Sequence, residues 1–108
     1  MVLREIAHVR TGDKGDISQI CVIVHEPEAY PLLARSLTCE RVREHLRISE
    51  EASILRYEVP AVGAVNFVVK GLLRGGVTRS LALDPHGKTI GAQLLDLTIG
   101  NAEGRERG

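Results

Sequence analysis

Seven residues, Arg10-Thr-Gly-Asp-Lys-Gly-Asp16, place two glycines and four charged groups between two apolar segments. Gly12 and Gly15 are free to take positive φ, so successive backbone N–H groups there could converge into an anion-binding nest. Arg10 and Lys14 would add positive charge to it. Asp13 and Asp16 oppose a simple phosphate role, because a nearby carboxylate repels an anion. They suit instead the orientation of Lys14, or general acid–base work by one of them. This reading assigns catalysis to Lys14, Asp13 and Asp16 and ligand contact to Arg10, Gly12 and Gly15. The competing reading is a hairpin or Ω-like loop whose aspartates cap backbone amides. The stretch is neither a Walker A loop nor a calcium loop of EF-hand spacing.

A second glycine-rich cationic stretch, Leu73-Arg-Gly-Gly-Val-Thr-Arg-Ser80, offers Gly75, Gly76, Thr78 and Arg79 to a carboxylate or phosphate. The alternative there is a helix end followed by an edge strand guarded by arginines. Asn66 interrupts an apolar segment and needs hydrogen-bond partners if it faces inward, either to brace a loop or to touch a ligand. His8, ending the first apolar segment, is a possible acid or base, though a lone strand histidine is more often structural. His25, His45 and His86 have no evident partner. Cys21 and Cys39 lack CxxC or Cys/His metal spacing, so both read as reduced, buried or half-buried thiols, and neither a metal nor a cofactor is expected.

The elements that must position these groups follow from periodicity. Leu3–Val9 reads as a short strand, and Ile17–Val24 as a strand in the middle of a sheet, covered on both faces. Glu28–Leu37 reads as a helix starting near Pro27 or Glu28, with Pro31 confined to its first turn. A break near Thr38 lets that residue cap a second helix carrying Val42 and Leu46. Ile48–Ala52 is a loop. Ser53–Val59 alternates as a strand with one wet side, Leu55, Tyr57 and Val59 opposing Ile54, Arg56 and Glu58. Apolar residues at 62, 65, 69, 72 and 73 predict a helix over 61–73, with a strand as the competing reading because of its valines. Strands over 78–84 and 89–99 would close the fold around an Asp84-Pro-His-Gly87 turn, the second bent by a β-bulge where its apolar phase switches. The polar tail 101–108 is expected to fray. The order β-β-α(α)-β-α-β-β implies an α+β two-layer sandwich, ferredoxin-like, with helices on one face of a mostly antiparallel sheet.

Length and composition bound the function. A chain of 108 residues, 44% hydrophobic and 26% charged, suits a single globular domain over 1–108 with a modest core. Fourteen basic residues balance fourteen acidic ones, without the basic excess of a nucleic-acid or anionic-membrane binder, and Tyr30, Tyr57 and Phe67 are the only aromatics for base stacking. Neither nucleic acid nor membrane is expected as a partner. The charged N-terminus does not resemble a signal peptide, no apolar run reaches a membrane span, and a soluble cytoplasmic protein follows. So small a neutral domain gains stability by pairing, which implies a homodimer or higher homo-oligomer.

HVRTGDKGD, EAYPLLARSLTCERVREHL and RYEVPAVGAVNFVVKGLLRGGVTRSLALDPHGK, in that order, resemble the AtuA-like ferredoxin-fold domain. That domain is the small C-terminal region, or separately encoded companion, of acyclic terpene utilisation AtuA-family proteins. The likeness runs from about Leu3 to Leu97. It implies a cytoplasmic bacterial protein linked to catabolism of branched or terpenoid acids and their CoA esters. The motif positions it marks are Arg10, Gly12, Asp13, Lys14, Gly15, Asp16, Gly63, Asn66, Phe67, Gly75, Gly76, Thr78 and Arg79. One departure lies at Gln19-Ile20-Cys21, where the family pattern is Asn-Ile-Gly. The AtuA-type main domain is also missing from this chain. Three roles follow: an accessory subunit that works with a larger AtuA-type protein and binds a small anionic group, a stand-alone oligomeric lyase or hydratase, and an oligomerisation module without a ligand.

Overall fold

The structure is a computed structural model that describes residues 1–71 and 90–99. Four strands form one sheet in the order β1-β2-β4-β3, every neighbouring pair antiparallel. They are β1 (Ala7–Lys14), β2 (Ile17–Val24), β3 (Ser53–Val59) and β4 (Ala64–Lys70). Two short helices, α1 (Tyr30–Ser36) and α2 (Cys39–Leu46), carry the chain from β2 to β3, and α3 (Ile90–Leu94) packs against β1 and α2. Strands β2 and β3 therefore run parallel with β4 inserted between them, a split β-α-β unit. The two-layer α+β sandwich with helices on one face is the architecture expected of a ferredoxin-like fold.

The core lies between the helices and the inward rows of the sheet. Ile20 and Val22 on β2, with Val65, Phe67 and Val69 on β4, meet Leu33, Leu37, Val42, Leu46 and Leu94, all essentially inaccessible to solvent. Thr38 breaks the helical segment as expected: its hydroxyl accepts the Arg41 backbone N–H at 3.1 Å, while Leu37 takes an extended conformation. Gly91 lets α3 approach β1 closely, since a Cβ there would sit 3.0 Å from Val9 Cγ1 and 3.1 Å from Thr11 Cγ2. His45 Nε2 donates to the Gln93 carbonyl at 2.8 Å and ties α2 to α3.

Several elements depart from their sequence patterns. The segment expected as a helix over 61–73 is strand β4, preceded by a 3-10 turn at Pro60–Val62. Its valines and Phe67 fill a pleated position paired on both sides, and that tertiary environment outweighs the helical spacing. The first strand starts at Ala7, after a 3-10 turn at Leu3–Glu5, and runs on to Lys14. Residues 90–94, expected within a bulged strand, are helical, and Thr98 beyond them bridges to Val2. Strand β2 is central, but its Ile17, Cys21 and Ile23 side is only half-buried and Gln19 is exposed. On β3 the alternation is real and its faces are reversed. Leu55 and Tyr57 are 47% and 50% exposed, whereas Arg56 points under the helices. There its guanidinium donates to the carbonyls of Leu37 and Ala34 at 2.7 and 2.6 Å, and to Glu58 at 2.7 Å. The expected strand 78–84, the turn at 84–87 and the tail 101–108 lie outside the described residues.

Candidate functional site: the open face of the sheet

The stretch Arg10–Asp16 is not a concave loop. Arg10 to Lys14 are extended and paired in register with Cys21 to Ile17, so only Gly15 and Asp16 remain as a two-residue hairpin turn. Gly15 takes φ +61°, the positive value a turn with glycine first requires. Gly12 sits in the ladder opposite Gln19, without positive φ. An amide nest needs consecutive residues of alternating helical hand, and a strand does not supply them. The expected backbone nest is therefore absent, and charge is presented by side chains instead.

Strand parity decides which groups meet. His8, Arg10, Gly12 and Lys14 alternate onto the face away from the helices. Ile17, Gln19, Cys21 and Ile23 of β2, Ala64, Asn66, Val68 and Lys70 of β4, and Ser53, Leu55, Tyr57 and Val59 of β3 share that face. One row across the sheet reads Arg10, Cys21, Asn66, Tyr57, the next Gly12, Gln19, Val68, Leu55, and the row at the hairpin end Lys14, Ile17, Lys70, Ser53. No Asp or Glu occupies any of these strand positions. Gly12 leaves bare backbone between the flanking Arg10 and Lys14, where an added Cβ would meet nothing within 4 Å. Arg10, Gly12, Lys14 and Asn66 thus share one face, Gln19 and Cys21 lying next to the β1 residues and Asn66 and Lys70 one strand further across.

Asp13 is not among them. It lies on the opposite face, directly across from Ser18, whose hydroxyl donates to its carboxylate at 2.7 Å. Asp16 occupies the second turn position, and its carbonyl accepts the Gly71 N–H at 3.1 Å. Gly75, Gly76, Thr78 and Arg79 lie outside the described residues. The sequence pattern also missed the surroundings of Cys21. Burial pushes its thiol above the ordinary 9.0, and the Arg10 guanidinium beside it pulls it back in part. Both cysteines are free. His8 and His25 stack at the far end of β1, ring centroids 5.7 Å apart and planes 21° apart. Among the described residues no cluster of His, Cys, Asp or Glu could hold a metal ion, and no helix is long and apolar enough to cross a membrane.

A four-stranded antiparallel sheet with helices on one side makes this a small ferredoxin-like α+β domain. The family model of the AtuA ferredoxin-like domain matches residues 1–100, and the chain belongs to that family. Comparison with curated proteins and with solved structures gives no match.

Proposed function

We propose that this protein is a cytoplasmic accessory subunit that works beside a larger AtuA-type protein in the catabolism of branched or terpenoid acids or their acyl-CoA esters. In this reading the open sheet face receives an anionic group over Gly12, held between Arg10 and Lys14 with the Gln19 amide across from it. The observation that carries the proposal is the bare backbone of Gly12 between two cations on a face whose strand positions hold no carboxylate. Arginine and lysine on adjacent same-face positions lie about 7 Å either side of such a gap, within reach of one carboxylate or phosphate. Leu55, Tyr57 and Val68 border the cationic half and suit an apolar acyl body.

Titration with isovaleryl-CoA, free CoA and isovalerate tests the binding. Arg10→Gln and Lys14→Gln should each weaken the tightest of these roughly tenfold, as expected for loss of one charge-assisted contact, with thermal unfolding unchanged. Unaltered affinity in both variants would remove the site. Co-purification with an AtuA-type chain tests the accessory role, and turnover by this chain alone would replace it with the lyase reading. The geometry gives that reading less support, because Asp13 and Lys14 are on opposite faces. A homo-oligomer is a second reading, favoured by the exposure of Leu55 and Tyr57, and sedimentation measures it directly.

A further inference from the structure

Strand β3 is an edge of the sheet: among the described residues it pairs with β4 on one side and with no strand on the other. An edge strand offers a row of N–H and C=O groups to another strand, and folded proteins guard such rows with charges, prolines or bulges. The other edge, β1, carries Arg10, Asp13 and Lys14. β3 is less guarded. Its 7 residues include no proline and pair with β4 in unbroken register. Its open-face row, Ser53, Leu55, Tyr57 and Val59, holds no charge, and Leu55 and Tyr57 are about half exposed.

The two charges on the strand, Arg56 and Glu58, lie on the helix side and have opposite sign. They select one register for pairing β3 with a second copy of itself. In an antiparallel pair with matching faces, one residue stands directly opposite its own copy. Centring the pair on Arg56 sets Arg56 against Arg56, a like-charge contact that destabilises a ladder. Centring it on Leu55 leaves Glu58 beyond the paired segment. Centring it on Tyr57 sets Tyr57 against Tyr57, Leu55 against Val59 and, on both sides of the axis, Arg56 against Glu58. Aromatic and opposite-charge pairs are the favourable cross-strand combinations. The groups have capacity for this: three of the five guanidinium N–H groups of Arg56 are committed within the chain. The Glu58 side chain is 52% exposed and meets its own Arg56 through one carboxylate oxygen.

We propose that two copies of this chain associate through β3, antiparallel, with Tyr57 of each directly opposite the other, so that two sheets become one sheet twice as wide. The proposal rests on the homo-oligomer reading above and gives it an element, a register and a symmetry. A two-fold axis perpendicular to the sheet keeps the helices of both copies on one side and both open faces on the other. β1 is then outermost in each copy, and the pairing leaves Arg10, Gly12 and Lys14 uncovered. Contact through one strand from each copy sits at the small end of protein interfaces, so the dimer should dissociate on dilution.

Sedimentation of the whole chain over a dilution series, joined to cysteine cross-linking, is the test. A monomer–dimer equilibrium is expected. Tyr57→Lys sets two like charges opposite each other and should raise the dissociation constant about tenfold or more, whereas Gln19→Lys, an exposed position on the same face two strands away, should leave it unchanged. Under mild oxidation Tyr57→Cys should form a disulfide with its own copy, identified by peptide mass spectrometry, because directly opposed Cβ atoms are about 5 Å apart. Leu55→Cys, opposite Val59, should not link to itself. A monomer at every concentration would overturn the proposal together with the homo-oligomer reading. A dimer that ignores Tyr57→Lys, responds equally to Gln19→Lys, or cross-links through Leu55→Cys in preference to Tyr57→Cys would overturn the β3 register and leave the homo-oligomer reading standing.

Discussion

Replacing Arg10 by Gln should slow alkylation of Cys21. Arg10 and Cys21 are direct cross-strand partners on the open face, and such partners have Cβ atoms about 5 Å apart. With the guanidinium roughly 6 Å from the sulfur and solvent on one side, the attraction to a thiolate is about 0.7 kcal/mol at the dielectric constant of water. Its loss reduces the thiolate population about threefold at pH values below the thiol's titration. Iodoacetamide labelling at pH 8, resolved by peptide mass spectrometry, reads Cys21 separately from Cys39, which serves as the internal control. The Cys21 rate should fall about threefold in Arg10→Gln, the Cys39 rate should stay level, and the Cys21 difference should shrink as ionic strength rises. An equal or faster Cys21 rate in the variant would mean that the guanidinium does not face the thiol. The face assignment on which the anion site depends would then be wrong.

Three further outcomes follow from the structure. Thr38→Ala removes the acceptor for Arg41 N–H and should cost about 1 kcal/mol in urea unfolding, with Thr38→Ser recovering most of it. Gly63→Ala combines positive φ with a Cβ 2.8 Å from Val24 Cγ2, and should destabilise by about 2 kcal/mol or more. Because folding raises the Cys21 thiol above 9.0, the unfolded chain ionises there first. The associated stability is complete below pH 9 and is lost as pH climbs through the folded value, so Cys21→Ala should flatten the alkaline limb of the pH–stability curve.

Features written locally were legible in the sequence. Thr38 is recognisable as a cap because a hydroxyl three residues before a helical amide satisfies that amide without help from elsewhere. The identity of β4 was not legible by the same means. Val62, Val65, Val69, Leu72 and Leu73 are spaced as on a helix, and it is the pairing with β2 and β3 on either side that makes 64–70 extended. The inverted face of β3 has a similar origin: hydropathy assigns Arg56 to solvent, but carbonyls exposed where α1 meets α2 give its guanidinium better partners. For the site, Arg10, Lys14 and Asn66 were picked out as residue types, whereas their common face was hidden by reading 10–16 as a loop. Once β1 is extended to Lys14, a period of two separates Asp13 from Lys14 and brings in Gln19 and Cys21.

The β2–β4 ladder has a consequence for how this chain assembles. Each hairpin, β1 with β2 and β3 with β4, closes over a few residues, but the seam joining them pairs Ile23 with Ala64 and Ile17 with Lys70, positions 41 and 53 residues apart. Loop-closure entropy concentrates there. The molecule is therefore two locally quick halves joined by one slow zipper, with Ile20 and Phe67 as its central teeth. Substitutions along that line should govern the folding rate more than those in either turn.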